Sequence, residues 1–139
     1  MSEPLLLDTH CWLWLQFGYD RKFKRQSRQA IERAMRRNDC VVSIISIWEF
    51  GMLASKGRVR INNDKVQWVN DALKTEGITL IPLTPEAAME ASNLPGEFHG
   101  DPADRLLVAT ARHLGATLVT ADECILEYGR QKHVRFLAC

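Results

Sequence analysis

Short uninterrupted apolar runs alternate along the chain with longer stretches in which apolar residues recur at helical spacing. The runs predict five short strands, at residues 5–8, 40–43, 78–83, 117–120 and 134–137. Residues 27–37 predict a basic amphipathic helix with Ser27 as its N-cap, and residues 44–55 a helix ending at Gly57. A helix over 64–76 is stopped by Gly77 and carries Val66, Val69 and Leu73 on one face. Thr84-Pro85-Glu86 opens a further helix, with a cap followed by proline at the first helical position. Asp101-Pro102 opens the next, which runs to about Leu114 and is stopped by Gly115, and a short helix covers 122–128. The uncharged run 9–19 holds Trp12, Leu13, Trp14, Leu15 and Phe17, more apolar surface than one short segment needs, so part of it is expected to meet a partner. Trp48 is expected in the core.

Strands without charges, alternating with helices, predict an α/β fold: a parallel sheet covered on both faces. Ligands of such sheets sit beyond the carboxyl ends of the strands, which is where chemistry is to be sought.

The 139 residues suit one domain over 1–139, and 46% hydrophobic with 25% charged residues is an ordinary globular balance. Disorder, a collagen repeat and a disulfide scaffold are excluded. No uncharged apolar stretch approaches a membrane span, and Met1-Ser2-Glu3-Pro4 is not the basic start of a signal peptide, so a cytoplasmic protein is expected. Cys11, Cys40, Cys124 and Cys139 form no metal-binding spacing and read as free, mostly buried thiols of a reducing compartment. Net charge is +1 but uneven: residues 19–60 carry 11 Lys/Arg against four acids, whereas residues 61–139 carry seven against 11. The basic part is either a surface that attracts a polyanion or a solvated helix.

Four acids sit where structure alone explains them poorly. Asp8 ends the first strand, and Asp122 lies two residues past the fourth, so both enter one crevice if those strands are neighbours. Glu49 is the only charge between Asp39 and Lys56, on a helix otherwise rich in Ile, Trp, Phe, Met and Leu, where an unpaired carboxylate costs several kcal/mol. Asp104 stands in the first turn of an apolar helix, where backbone N–H groups favour an anion. Each also has a plain structural explanation: Asp8 and Asp122 as turn or cap residues, Asp101 and Asp104 as a capping box. Converging carboxylates repel one another unless they share protons or a divalent cation, and an oxygen-only donor set suits Mg²⁺ or Mn²⁺. With the basic segment, these acids point to a metal-dependent phosphodiester hydrolase, in which the ion activates water and neutralises charge on the phosphate. Position 10 is His, which excludes a D-x-D phosphatase, and the sequence has no nucleotide-binding glycine loop and no G-x-S-x-G elbow.

The chain resembles the PIN-domain ribonucleases, specifically the VapC-like toxins of type II toxin–antitoxin pairs. The resemblance is carried in order by Leu6-Leu7-Asp8-Thr9-His10 with Trp14, by Ser43-Ile44-Ile45-Ser46-Ile47-Trp48-Glu49 and by Lys56-Gly57-Arg58. It continues with His99-Gly100-Asp101-Pro102-Ala103-Asp104-Arg105-Leu106-Leu107-Val108-Ala109 and ends with Leu118-Val119-Thr120-Ala121-Asp122. It implies a three-layer α/β/α fold, endonucleolytic RNA cleavage, and a Mg²⁺ or Mn²⁺ site in which Asp8, Glu49, Asp104 and Asp122 are both metal ligands and catalytic groups. Thr120 falls on the family's polar position and could hold a metal-bound water. Asp101 is a cap first and a metal helper second, and Arg105 touches phosphate or forms an ordinary salt bridge. His10 and His99 fit the pattern without an assigned role. RNA substrate, an inhibitory cognate antitoxin and a homodimer are the implied partners. The rival readings are a non-catalytic metal- or peptide-binding module and a DNA-directed nuclease on the same scaffold.

Overall fold

The computed structural model describes residues 3–62 and 64–139. Five strands form one sheet: β1 (Leu5–Leu7), β2 (Cys40–Ser43), β3 (Ile78–Ile81), β4 (Thr117–Thr120) and β5 (Phe136–Ala138). Their spatial order is β3-β2-β1-β4-β5 and every pairing is parallel, with Leu7 beside Val119 and Val41 beside Thr79. Among the described residues seven α-helices cover the sheet: α1 (Thr9–Phe17), α2 (Arg25–Arg36), α3 (Ile44–Ser55), α4 (Lys65–Leu73), α5 (Pro85–Ala91), α6 (Pro102–Leu114) and α7 (Glu123–Arg130). Among the described residues no helix is long and apolar enough to cross a membrane.

The pleat of the strands divides the core in two. Leu5, Leu7, Cys40, Val42 and Val119 point to one face, where Trp12, Ile31, Phe50 and Val69 of α1 to α4 pack on them. Leu6, Val41 and Leu118 point to the other, against Ala87, Val108, Ala109, Ile125 and Tyr128 of α5 to α7. This is the expected three-layer α/β/α sandwich, and its cause is the charge-free strands, which are buried in β1, β2 and β4 and half-exposed at the edges β3 and β5. The chain runs outward from β1 through β2 to β3, then returns to β4 on the other side of β1. The carboxyl ends of β1 and β4 therefore flank the crevice where the winding direction reverses, the place that ligands of open α/β sheets occupy.

Several local expectations need correction. Residues 9–17 form a helix, α1, for which the sequence offered no periodicity because its residues are apolar nearly all round: Cys11, Trp12 and Leu13 are buried. Most of its apolar excess thus serves the core rather than a partner. Helix α2 starts two residues early, capped at Lys24, and the buried Ser27 hydroxyl donates to the Lys24 carbonyl at 2.8 Å instead of capping. Val66 lies off the buried face of α4 and is 70% exposed, whereas Val69 is buried. Trp48 is not in the core: it is 58% exposed and forms an apolar stripe with Ile44 and Met52 at i, i+4, i+8 on α3. Of the cysteines, Cys11 and Cys40 are buried, Cys139 is half-buried and Cys124 is exposed; all four are free thiols.

Candidate active site

Asp8 leaves β1 with its backbone N–H bonded to the Val119 carbonyl at 2.9 Å, so the sheet ladder extends to the residue that carries the carboxylate. Its side chain caps α1, accepting from the Thr9 N–H at 2.7 Å, and receives a second bond from the Thr120 hydroxyl at 2.6 Å. Thr120 is wholly buried, and the same hydroxyl accepts from the Asp122 N–H at 2.9 Å. Asp122 in turn caps α7 through the Ile125 N–H at 3.0 Å. One hydroxyl at the end of β4 thus orients the acids that follow two adjacent strands.

Glu49 reaches the same place from α3. The buried Thr9 hydroxyl donates to its carboxylate, and Thr9 Oγ1 also lies 2.8 Å from the Ser46 hydroxyl. Asp104 comes from the first turn of α6, whose N-cap is Asp101, accepting from the Asp104 N–H at 2.9 Å. Capping and convergence are therefore both true: Asp8, Asp101 and Asp122 cap helices because helix N-termini point into the crevice, and those N-termini stabilise the negative charge gathered there.

Asp8, Glu49, Asp101, Asp104 and Asp122 line one pocket of about 280 Å³ together with His10, Trp14 and Ala121. The electrostatic cost is visible in the acids. Burial pushes the Asp8 carboxyl up despite the Thr120 and Thr9 hydrogen bonds that lower it. Burial also raises Glu49, and the charges of Asp8 and Asp101 add to it. Asp104 is pushed up to about 8, by burial first and then by Asp101, Asp122, Asp8 and Glu49. Among the described residues neither Lys nor Arg lines this pocket, and His10 at its rim only partly offsets the acids. Among the described residues no three acids or other ligating side chains are drawn close enough to grip one ion directly. The donor set, carboxylate oxygens only, nevertheless fits a hard cation, and Mg²⁺ characteristically keeps several waters and touches protein through few carboxylates.

The remaining sequence candidates fall outside this ring. Arg105 does not line the pocket and makes no salt bridge among the described residues: its Nε donates to the Ala91 carbonyl at 2.8 Å and its Nη1 to the Phe98 carbonyl at 2.9 Å, with the guanidinium over the Phe98 ring. It ties the 91–100 segment to α6. His99 is exposed beside Glu97, whereas His10 is on the pocket rim. Thr9, which donates to Glu49, and Ser46, which is bonded to Thr9, carry no sequence signal beyond being small hydroxyl residues in apolar helices next to the acids.

Replacing Thr120 by Val keeps shape but leaves the Asp122 N–H and one Asp8 oxygen without their partner. A destabilisation of about 1–3 kcal/mol is expected in urea unfolding, with Thr120→Ser near wild type. Equal stability of the Val and Ser variants would show that the hydroxyl does not organise the site.

The family model for the PIN domain matches residues 5–131. Ribonuclease VapC22 of Mycobacterium tuberculosis is 35% identical over 118 residues, spanning 85% of this chain and 86% of that protein. Among solved structures, VapBC2 from Rickettsia felis bound to a promoter DNA fragment aligns with a TM-score of 0.69 at 16% identity, covering 96% of this chain and 97% of that one. DNA-bound VapBC from Salmonella typhimurium aligns at 0.68 with 14% identity, covering 99% and 98%. The order of the strands, the acids at the β1–β4 crevice and these matches agree: the chain belongs to the PIN-domain family.

Proposed function

We propose that this protein is a Mg²⁺- or Mn²⁺-dependent endoribonuclease, the cytoplasmic toxin of a type II toxin–antitoxin pair, built as one PIN domain over residues 1–139. The observation that carries the reading is the meeting of acids from β1, α3, α6 and the β4–α7 turn in one pocket that neither Lys nor Arg lines. The likeness to Ribonuclease VapC22 supports the same activity. Asp8, Glu49, Asp104 and Asp122 would hold the cation, directly or through water, and Asp101 would add charge at the rim. A bound divalent ion supplies water activation and charge neutralisation at a scissile phosphate. The chain's own part is positioning: Thr120 fixes Asp8 and the Asp122 backbone, and Thr9 with Ser46 fixes Glu49. Without a cation the acids repel phosphate, so seating the scissile phosphate over them is coupled to ion binding, whereas contacts outside the acidic pocket are not.

The experiment is cleavage of labelled RNA and matched DNA by purified protein in EDTA, Mg²⁺ and Mn²⁺. Ion-dependent cutting of RNA supports the reading. Preference for DNA favours the DNA-directed alternative, and ion binding without cleavage of either favours a non-catalytic module.

The VapBC neighbours are toxin–antitoxin assemblies, which supports a cognate antitoxin as partner. A second copy of the chain is the other proposed partner, and the exposed stripe Ile44, Trp48 and Met52 is the apolar surface available to it. Trp48→Glu is expected to shift a dimer toward monomer in sedimentation velocity; an unchanged distribution would remove this stripe from the interface.

A further inference from the structure

A second cleft of about 500 Å³ adjoins the acidic pocket, and the two share His10 and Trp14. Its character is opposite. Phe17 at the end of α1, Tyr19 just after it, and Arg58 and Arg60 from the segment after α3 line it beside the aliphatic Leu13, Leu53 and Val59, and among the described residues no carboxylate does. Tyr19 is 53% exposed and packs on Phe17 with ring centroids 5.5 Å apart. The His10 and Trp14 rings lie 6.2 Å apart at 52°, and Lys22 Nζ sits 5.3 Å from the Trp14 ring centre. Both arginines are exposed.

We infer that this cleft is a nucleotide subsite: it takes one unstacked base of the RNA next to the scissile phosphate, on Tyr19 and Trp14, with Arg58 and Arg60 holding the flanking phosphates. The assignment rests on the ribonuclease reading above. Three features carry it. The cleft opens at the shared rim of the acidic pocket, so a strand whose phosphate lies over the acids places its neighbouring nucleotide there. Aromatic faces beside arginines form the usual platform for single-stranded nucleic acid, since every base has a π-face and every linkage a negative charge. The switch from five acids in one cavity to two arginines in the next also fixes which part of a nucleotide each receives. The scissile phosphate goes to the acids, which would hold the cation that neutralises it, and the base with its outer phosphates goes to the aromatic cleft.

The test uses fluorescence anisotropy in EDTA, where binding is read without cleavage. The probes are a labelled single-stranded RNA of random sequence and an oligomer of the same length with its bases removed. Wild type is expected to prefer the RNA, and Tyr19→Ala to reduce that preference about 5- to 150-fold, the range for loss of one base–aromatic stack. Tyr19→Phe should retain it. Arg58→Gln with Arg60→Gln should weaken both probes alike and lower the salt slope by about 1.4, at about 0.7 per phosphate contact for single strands. Cleavage of RNA by the same variants in Mg²⁺ should show raised KM with little change in kcat. If the cleft variants bind and cut like wild type, the subsite is wrong while the ribonuclease reading stands. If they keep RNA binding but lose a co-purifying antitoxin, the cleft is a protein dock and the proposal fails. If wild type neither binds nor cuts RNA, the ribonuclease reading fails and the subsite with it.

Discussion

Asp104→Asn is expected to abolish ion-dependent RNA cleavage and, in EDTA at high pH, to make the protein more stable than wild type. The loss of activity should be on the order of 100-fold or more, the size seen when a preorganised electrostatic group at a reacting centre is removed. The gain in stability follows from the site's own repulsion. The Asp104 carboxyl is pushed up to about 8 in the fold by burial and by four neighbouring acids, from an ordinary value of 3.8. The folded state therefore holds this proton more tightly than the unfolded chain, and unfolding releases it between about pH 4 and pH 8. Stability contributed by the protonated form is complete below the unfolded value and is lost as pH rises through the folded one. Metal-free wild type should thus melt several degrees lower at pH 8.5 than at pH 6. The Asn variant, with no proton to lose at this position, should show a shallower slope and a higher midpoint at pH 8.5. Mg²⁺ or Mn²⁺ should restore the wild type most strongly at the higher pH and help the variant least. Calorimetry of both proteins across pH, with and without ion, checks each sign. A variant less stable than wild type in EDTA at pH 8.5 would mean that the acids are not in mutual conflict. Retained cleavage would remove Asp104 from the catalytic set.

The largest stability effect is expected at Trp12. Its side chain is fully buried between the sheet and α3, edge-on to Phe50 and Trp68 with centroid separations of 6.4 and 5.9 Å. Trp12→Ala opens a cavity in the centre of that face and should cost about 3–5 kcal/mol, a large share of a domain's total stability. Among the described residues no group accepts from the Trp12 indole N–H. Trp12→Phe removes that unpaired donor along with some volume, and a buried unsatisfied group costs about 1–3 kcal/mol, so the Phe variant should lose well under half as much as Ala. Val66→Ala, at an exposed position of α4, should fall within about 0.5 kcal/mol of wild type. Urea unfolding of the three variants measures this order. A Phe variant as damaged as Ala would show that ring volume outweighs the unpaired donor.

The three central strands were legible because a sheet covered on both faces leaves no position for a charge, so each appears as a short apolar run. The half-exposed edge strands have blurred ends: the expected 134–137, with Arg135 inside it, is found as Phe136–Ala138. Caps were legible where the chemistry is local: Thr84-Pro85 and Asp101-Pro102 start α5 and α6 as their types require. Helix α1 was hidden, since a segment buried on most sides has no polar face to mark a period, although Asp8 before it and Gly18 after it were the available signals. Trp48 misled for the opposite reason. Large aromatic residues usually belong to cores, and nothing local distinguishes an inward from an outward position on a helix apolar on every side.

The order of the strands along the chain, most of the helices and the positions of the acids were determined by the sequence alone, because they depend on neighbours within a few residues. Tertiary structure alone decided that β1 lies beside β4, which brings Asp8 and Asp122 under one hydroxyl, that of Thr120. It also decided that Arg105 bonds to backbone carbonyls rather than to the pocket, and that an aromatic and basic cleft stands next to five carboxylates. These facts join residues as far apart as Asp8 and Thr120, or Trp14 and Arg60. Their distances are set by strand order and helix packing, which no local pattern encodes.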